Sequence, residues 1–254
     1  MLIGGFSNAF AATNIVNNGS FEAVDASVTC DSPGFHTVFS PGTTITGWTV
    51  GLDSIDWICG YWLAQDGKDS LDMSGTNPAD PEYDGIPSSA GSVSQDLTTI
   101  SGATYNVAFW LSGNDDFGSN PLKHLTVTAP GYSTPFTHLT TGKGTDWEEK
   151  TFSFTATGPT STLTFTSDED RPFGAALDNV SAVLSACPTG YDLVDDTCVR
   201  SNHNPVAGEL VPLNTTALFI SGLSSSMIWM VPTLAGIAGV GVYFIQTRTH
   251  NKDN

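Results

Sequence analysis

The stretch Tyr105-Asn106-Val107-Ala108-Phe109-Trp110-Leu111 decides the fold class. In an extended chain successive side chains point to opposite faces, so Tyr105, Val107, Phe109 and Leu111 share one apolar face while Asn106 and Trp110 point the other way. That is the signature of a half-buried strand, and it recurs. Phe152 and Phe154 alternate with Thr151, Ser153 and Thr155, and Leu163 and Phe165 alternate with Thr162, Thr164 and Thr166. Further strands are expected at residues 44–50, 54–58, 70–73, 92–97, 122–128, 134–139 and 176–184, and helical periodicity is absent from this region. About ten antiparallel strands in one unit predict two packed sheets, an all-β jelly-roll sandwich over residues 14–184.

Composition agrees. Gly 26 and Pro 14 with only 13% charged residues suit a turn-rich β domain. Eight Lys+Arg against 26 Asp+Glu give a net charge of −18, which repels phosphate backbones and excludes nucleic acid as a partner. Residues 75–90 (GTNPADPEYDGIPSSA) carry three prolines and are read as a surface loop.

The two ends read differently. Residues 1–13 contain Ala9-Phe10-Ala11, a small-residue pattern like a signal-peptidase site, without a basic n-region, and read as the remnant of a signal peptide, with a disordered tail as the alternative. Residues 217–245 (ALFISGLSSSMIWMVPTLAGIAGVGVYFI) contain no acid, base or His and are expected to form one transmembrane anchor. Arg248 and Lys252 follow it, so the positive-inside rule assigns residues 246–254 to the cytoplasm and the acidic domain to the outside. Cysteine usage agrees with export. Cys187 and Cys198 bracket a short loop within an expected stalk at 185–216, and spacing favours their pairing, which leaves Cys30 with Cys59, although three connectivities are open. Sequons stand at Asn18, Asn179 and Asn214.

Several stretches carry a family resemblance: Asn17-Asn18-Gly19-Ser20-Phe21-Glu22, Gly47-Trp48, Asp56-Trp57-Ile58, Tyr61-Trp62, Gly67-Lys68-Asp69-Ser70-Leu71-Asp72-Met73-Ser74-Gly75, Tyr105 to Asn114, and Ala176-Leu177-Asp178-Asn179-Val180. In this order they resemble the choice-of-anchor C family of bacterial and archaeal surface proteins, which is similar to the galactose-binding-like domain of plant cell-wall proteins. The resemblance implies an exported galactose-binding-like jelly roll with a C-terminal anchor. It also raises the expectation of a structural calcium, held by Glu22 near the first strand and Asp178 near the last, with backbone carbonyls completing an oxygen shell. The alternative is that both carboxylates accept backbone hydrogen bonds. Asp80 to Gly85 opens like an EF-hand loop but has Gly91 at the twelfth position, where a bidentate Glu is needed.

Sugars present C–H faces that stack on aromatic rings and hydroxyls that bond to carboxylates and amides. Trp110, turned away from the core face, is the leading candidate for such a platform. Trp57, Tyr61 and Trp62 are candidates to extend it, with Asp56, Gln65, Asn114 and Asp115 as hydrogen-bonding neighbours; for Trp48 and Trp57 burial in the core is the favoured reading, since large aromatics usually fill sandwich cores. Catalysis is not expected: His36, His124 and His138 are scattered, no G-x-S-x-G occurs, and the adjacent acids Asp168, Glu169 and Asp170 are not the facing carboxylates that glycoside hydrolysis requires. The expected function is a membrane-anchored extracellular module that binds polysaccharide or glycoconjugate. The alternative is a structural or adhesive protein packed against envelope neighbours.

Overall fold

A computed structural model describes residues 12–75, 90–116, 119–169 and 173–201. The described chain is a sandwich of two antiparallel sheets. One sheet has six strands in the order β1 (Phe35–Phe39), β3 (Ser54–Ile58), β4 (Ser70–Asp72), β11 (Ala175–Ala186), β6 (Thr104–Gly113) and β9 (Glu148–Thr155). The other has five, in the order β2 (Thr49–Leu52), β5 (Gly91–Thr98), β10 (Thr160–Ser167), β7 (Leu122–Ala129) and β8 (Tyr132–Leu139).

The alternation in β6 does what its pattern dictates. Tyr105, Val107, Phe109 and Leu111 are buried between the sheets. Phe109 meets Phe136 of β8 and Phe165 of β10 edge-on, each with ring centroids 5.1 Å apart, so one side chain joins both layers. Tyr105 stacks on Phe154 of β9. Each such ring, fully buried, stabilises the fold by about 1.5–3 kcal/mol. At one edge His138 of β8 lies 3.2 Å from both Asp146 and Glu148, a polar staple between the layers.

Two elements depart from expectation. β1 was not foreseen. Residues 44–48 are not a strand: Ile45 makes one isolated bridge to Val24, and Gly47 turns the chain at φ 84° before β2 begins. Beyond β11, Cys187 and Cys198 pack against the main core, and their disulfide ties the end of β11 to β13 (Thr197–Arg200), which pairs with β12 (Tyr191–Val194) in a hairpin. The expected stalk is therefore part of the compact unit as far as Ser201. The disulfides are Cys30–Cys59 and Cys187–Cys198, as spacing favoured. Among the described residues no helix is long and apolar enough to cross a membrane. The expected anchor at 217–245, the tail at 246–254, residues 1–11 of the signal-peptide remnant, Asn214 and the Asp80 to Gly85 motif lie outside the described residues.

Candidate functional site

Residues directly opposite on paired strands point to the same face. Trp110 stands opposite Asp178 of β11 and Glu149 of β9, and all three belong to the outer face of the six-stranded sheet. Trp110 is half-buried, and it is the one aromatic residue of β6, β9 and β11 that does not enter the core. Trp147, just before β9, is also half-buried and packs with Ile58, Trp62, Ala176, Phe35 and Tyr61 in a second apolar cluster outside the main core.

The connection between β3 and β4 covers part of this face. Its Trp62 is buried, with Nε1 donating to Ser70 Oγ at 2.9 Å. Trp147 Nε1 donates to the Leu63 carbonyl at 3.1 Å, while the Leu63 side chain stands 80% exposed. The Tyr61 hydroxyl donates to Asp116, and Lys143 Nζ lies 3.2 Å from the same carboxylate and 3.8 Å from the Tyr61 ring centroid. Burial first, then the bond to Asp116, pushes the Tyr61 hydroxyl above its ordinary pKa. Three loops thus meet at one end of the face. Away from them the surface carries small and polar side chains: Asn106, Ala108, Thr151 and Ser153, with Ser153 Oγ donating to Asn106 Oδ1 at 2.8 Å. Trp110 sits on β6, one strand in from the sheet edge, on the face shared by the loop cover and this polar surface.

The expected platform is only partly assembled. Trp57 is a correction: it points to the opposite face from Asp56, lies in the main core, and donates its indole N–H to the Phe21 carbonyl at 3.1 Å. Trp62 is on the correct face but serves as packing beneath the loop. Asp56 is buried and accepts from Thr37 Oγ1 at 2.6 Å. Asn114 is buried and donates to Asp72 Oδ2 at 2.9 Å. Asp72 stands directly opposite Asp56, and burial followed by that neighbouring charge pushes its carboxyl up to about 8. Neither Asp56 nor Asn114 is therefore exposed to an external ligand. Asp115 and Gln65 remain partly exposed, Gln65 accepting from Asn179 Nδ2 at 2.8 Å. Sequence reading missed Trp147 and Glu149, because the polar run Lys143 to Glu149 shows no alternation to mark the outward Trp.

Glu22 and Asp178 do meet one segment. Glu22 Oε1 accepts the backbone N–H groups of Lys68 and Asp69, both at 2.8 Å, and Asp178 Oδ2 accepts those of Gln65 and Asp66 at 2.7 and 3.0 Å. Burial pushes Asp178 up to about 7 and, with the Glu22 charge, Asp69 to about 6. Among the described residues no three His, Cys, Asp or Glu side chains converge to hold a metal ion. Both carboxylates are engaged by backbone N–H groups of residues 65–69, the alternative to metal binding weighed from the sequence. Two sequons have structural uses: Asn18 Nδ2 donates to the Ala23 and Thr46 carbonyls, and Asn179 to Gln65.

The chain is 31% identical over 208 residues to halomucin of Haloquadratum walsbyi, an alignment that covers 81% of this chain and 2% of that protein. It therefore spans a very small part of its curated relative. Among solved structures it is similar to TmCBM61 in complex with beta-1,4-galactotriose (TM-score 0.41, 15% identity, 68% of this chain and 100% of that one). It is also similar to a Family 16 Carbohydrate Binding Module-2 (TM-score 0.39, 15% identity, 67% and 99%). Residues 14–183, most of the chain and all of the strands of the two main sheets up to Val183, match one family, and the resemblance to the plant cell-wall protein domain stands. The chain belongs to the family described as Protein of unknown function (DUF642).

Proposed function

We propose that this chain is a non-catalytic module that grips polysaccharide or glycoconjugate outside the cell, on the outer face of the six-stranded sheet. The observation that carries the reading is Trp110, turned away from the core on a strand whose other aromatics enter it, opposite Glu149 and on the same face as a polar strand surface. An indole supplies the apolar surface for a sugar ring, and Glu149, Asn106 and Ser153 supply hydrogen-bonding groups for its hydroxyls. The two disulfides support an oxidising, extracellular setting, and the match to halomucin is in keeping with it. The apolar run at 217–245 would anchor the module as a single span, in the manner of choice-of-anchor C proteins. The test is affinity electrophoresis and glycan-array binding of the full chain beside Trp110→Ala and Trp147→Ala. The expected result is retarded wild type and loss of at least tenfold in affinity for Trp110→Ala at unchanged Tm; binding indifferent to Trp110 would sink the reading.

Calcium forms part of the proposal. Glu22 and Asp178 would hold it, supplying charge to carboxylates that already fix residues 65–69, and its role would be to stiffen the loop that covers the face. A melting curve with calcium is expected to lie several degrees above one with chelator, and coincident curves would remove the ion from the account.

A second reading, a structural or adhesive envelope protein, is favoured by the outer face of the five-stranded sheet. There Thr49, Ser94, Thr164, Thr128 and Ser133 stand in register across β2, β5, β10, β7 and β8. Such a row of hydroxyls suits packing against a neighbouring surface, and tight self-association abolished by charged substitutions at Thr128 and Thr164 would favour it.

A further inference from the structure

We infer that the glycan taken on the outer face is uncharged, and that Glu149 is the residue that turns uronate and sulfated polymers away. This rests on the binding reading above. Glu149 is exposed, directly opposite Trp110, and on the same face, so a sugar stacked on that indole lies within reach of its carboxylate. An acceptor of this kind suits the hydroxyls of a neutral ring and repels a carboxylate or sulfate at the same place.

An anion would need a cation in answer, and three of the five described lysines and arginines are paired or buried. Lys143 is held by Asp116 over the Tyr61 ring. Lys123 is fully buried, with Nζ donating to the Phe173 carbonyl at 2.6 Å. Lys150 pairs with Glu148 at 2.6 Å; both alternate with Glu149 along β9 and point to its other side. Arg200 belongs to the β12–β13 hairpin. Lys68 follows Gly67 on the loop where Glu22, Asp66 and Asp69 gather, and its charge acts on Asp69. The carboxylates of Asp115 and Asp116 stand on the loop after β6, at the end of the same strand as Trp110.

The test compares immobilised neutral galactan, xylan and glucan with polygalacturonate and dextran sulfate, using the full chain and the variants Glu149→Lys and Glu149→Gln, each first matched for Tm. The wild type is expected to bind at least one neutral polymer, with the acidic ones at least tenfold weaker and their residual binding increasing with salt. Glu149→Lys is expected to narrow that gap at least threefold, and Glu149→Gln to keep the neutral ligand. Tight wild-type binding to an acidic polymer that weakens with salt would overturn the inference while leaving the binding reading intact. Failure to bind any polymer, neutral or acidic, overturns both.

Discussion

Replacing Cys30 and Cys59 together by Ser removes the link between the segment entering β1 and the end of β3. The sequence separation is 29 residues. The chain-entropy relation then gives about 12 cal/mol/K, or about 3.6 kcal/mol at 25 °C, of stabilisation lost through a less restricted unfolded chain. The same relation applied to Cys187 and Cys198, 11 residues apart, gives about 2.8 kcal/mol. For a domain of this size each kcal/mol corresponds to roughly 2–4 °C, so the Cys30/Cys59 variant is expected to melt about 7–14 °C lower. The loss has a local component as well. β1 is an edge strand whose one partner in the sheet is β3, and Phe35 meets Tyr61 edge-on across the adjoining loop. Hydrogen exchange should therefore show β1 amides losing protection before those of β6 or β11. Denaturant titration, with m fitted separately for wild type and variant, would read the free energy directly. A loss below about 1 kcal/mol, or a larger loss for the hairpin disulfide than for this one, would refute the reasoning.

Three further outcomes are expected. Phe109→Ala, which removes a fully buried ring touching aromatics from both β8 and β10, should cost about 3–5 kcal/mol in chemical denaturation, and a cost under 1 kcal/mol would mean the two layers do not depend on that contact. Asp72 is held up to about 8, so it binds a proton in the folded state that the unfolded chain releases near pH 4; its contribution is full below that and is lost as pH rises towards 8, and Asp72→Asn should flatten this part of a Tm-against-pH curve. Gly144 is at φ 54° with its absent Cβ aimed at the Trp62 indole, so Gly144→Val should displace Trp62 and lower stability by about 1–3 kcal/mol, visible as a change in tryptophan fluorescence.

Much of the fold is legible because period-two alternation survives wherever a strand has one wet and one dry face. β6, β9 and β10 show it plainly, and the expected strands at 54–58, 70–73, 92–97, 122–128, 134–139 and 176–184 each coincide with an observed strand to within two residues at either end. β1 escaped because Phe35 to Thr37 are all half-buried, so no alternation marks it. Trp57 and Trp62 could not be assigned to the platform from sequence for a different reason. A tryptophan in an aromatic-rich segment gives no local sign of which layer it enters, and only pairing with β1 and β4 fixes Trp57 inward and Asp56 outward. The clamp on residues 65–69 joins groups more than 100 positions apart in sequence, with Asp178 reaching Gln65, so no window along the chain could show it.

The strand order carries a consequence for biogenesis. β11, the last strand of the sandwich, occupies an interior position between β4 and β6. A nascent polypeptide emerging amino end first cannot zip that gap until residue 186 is free, and until then two interior ladders hang open. Closure of the six-stranded sheet therefore waits until every other strand of both sheets has been made.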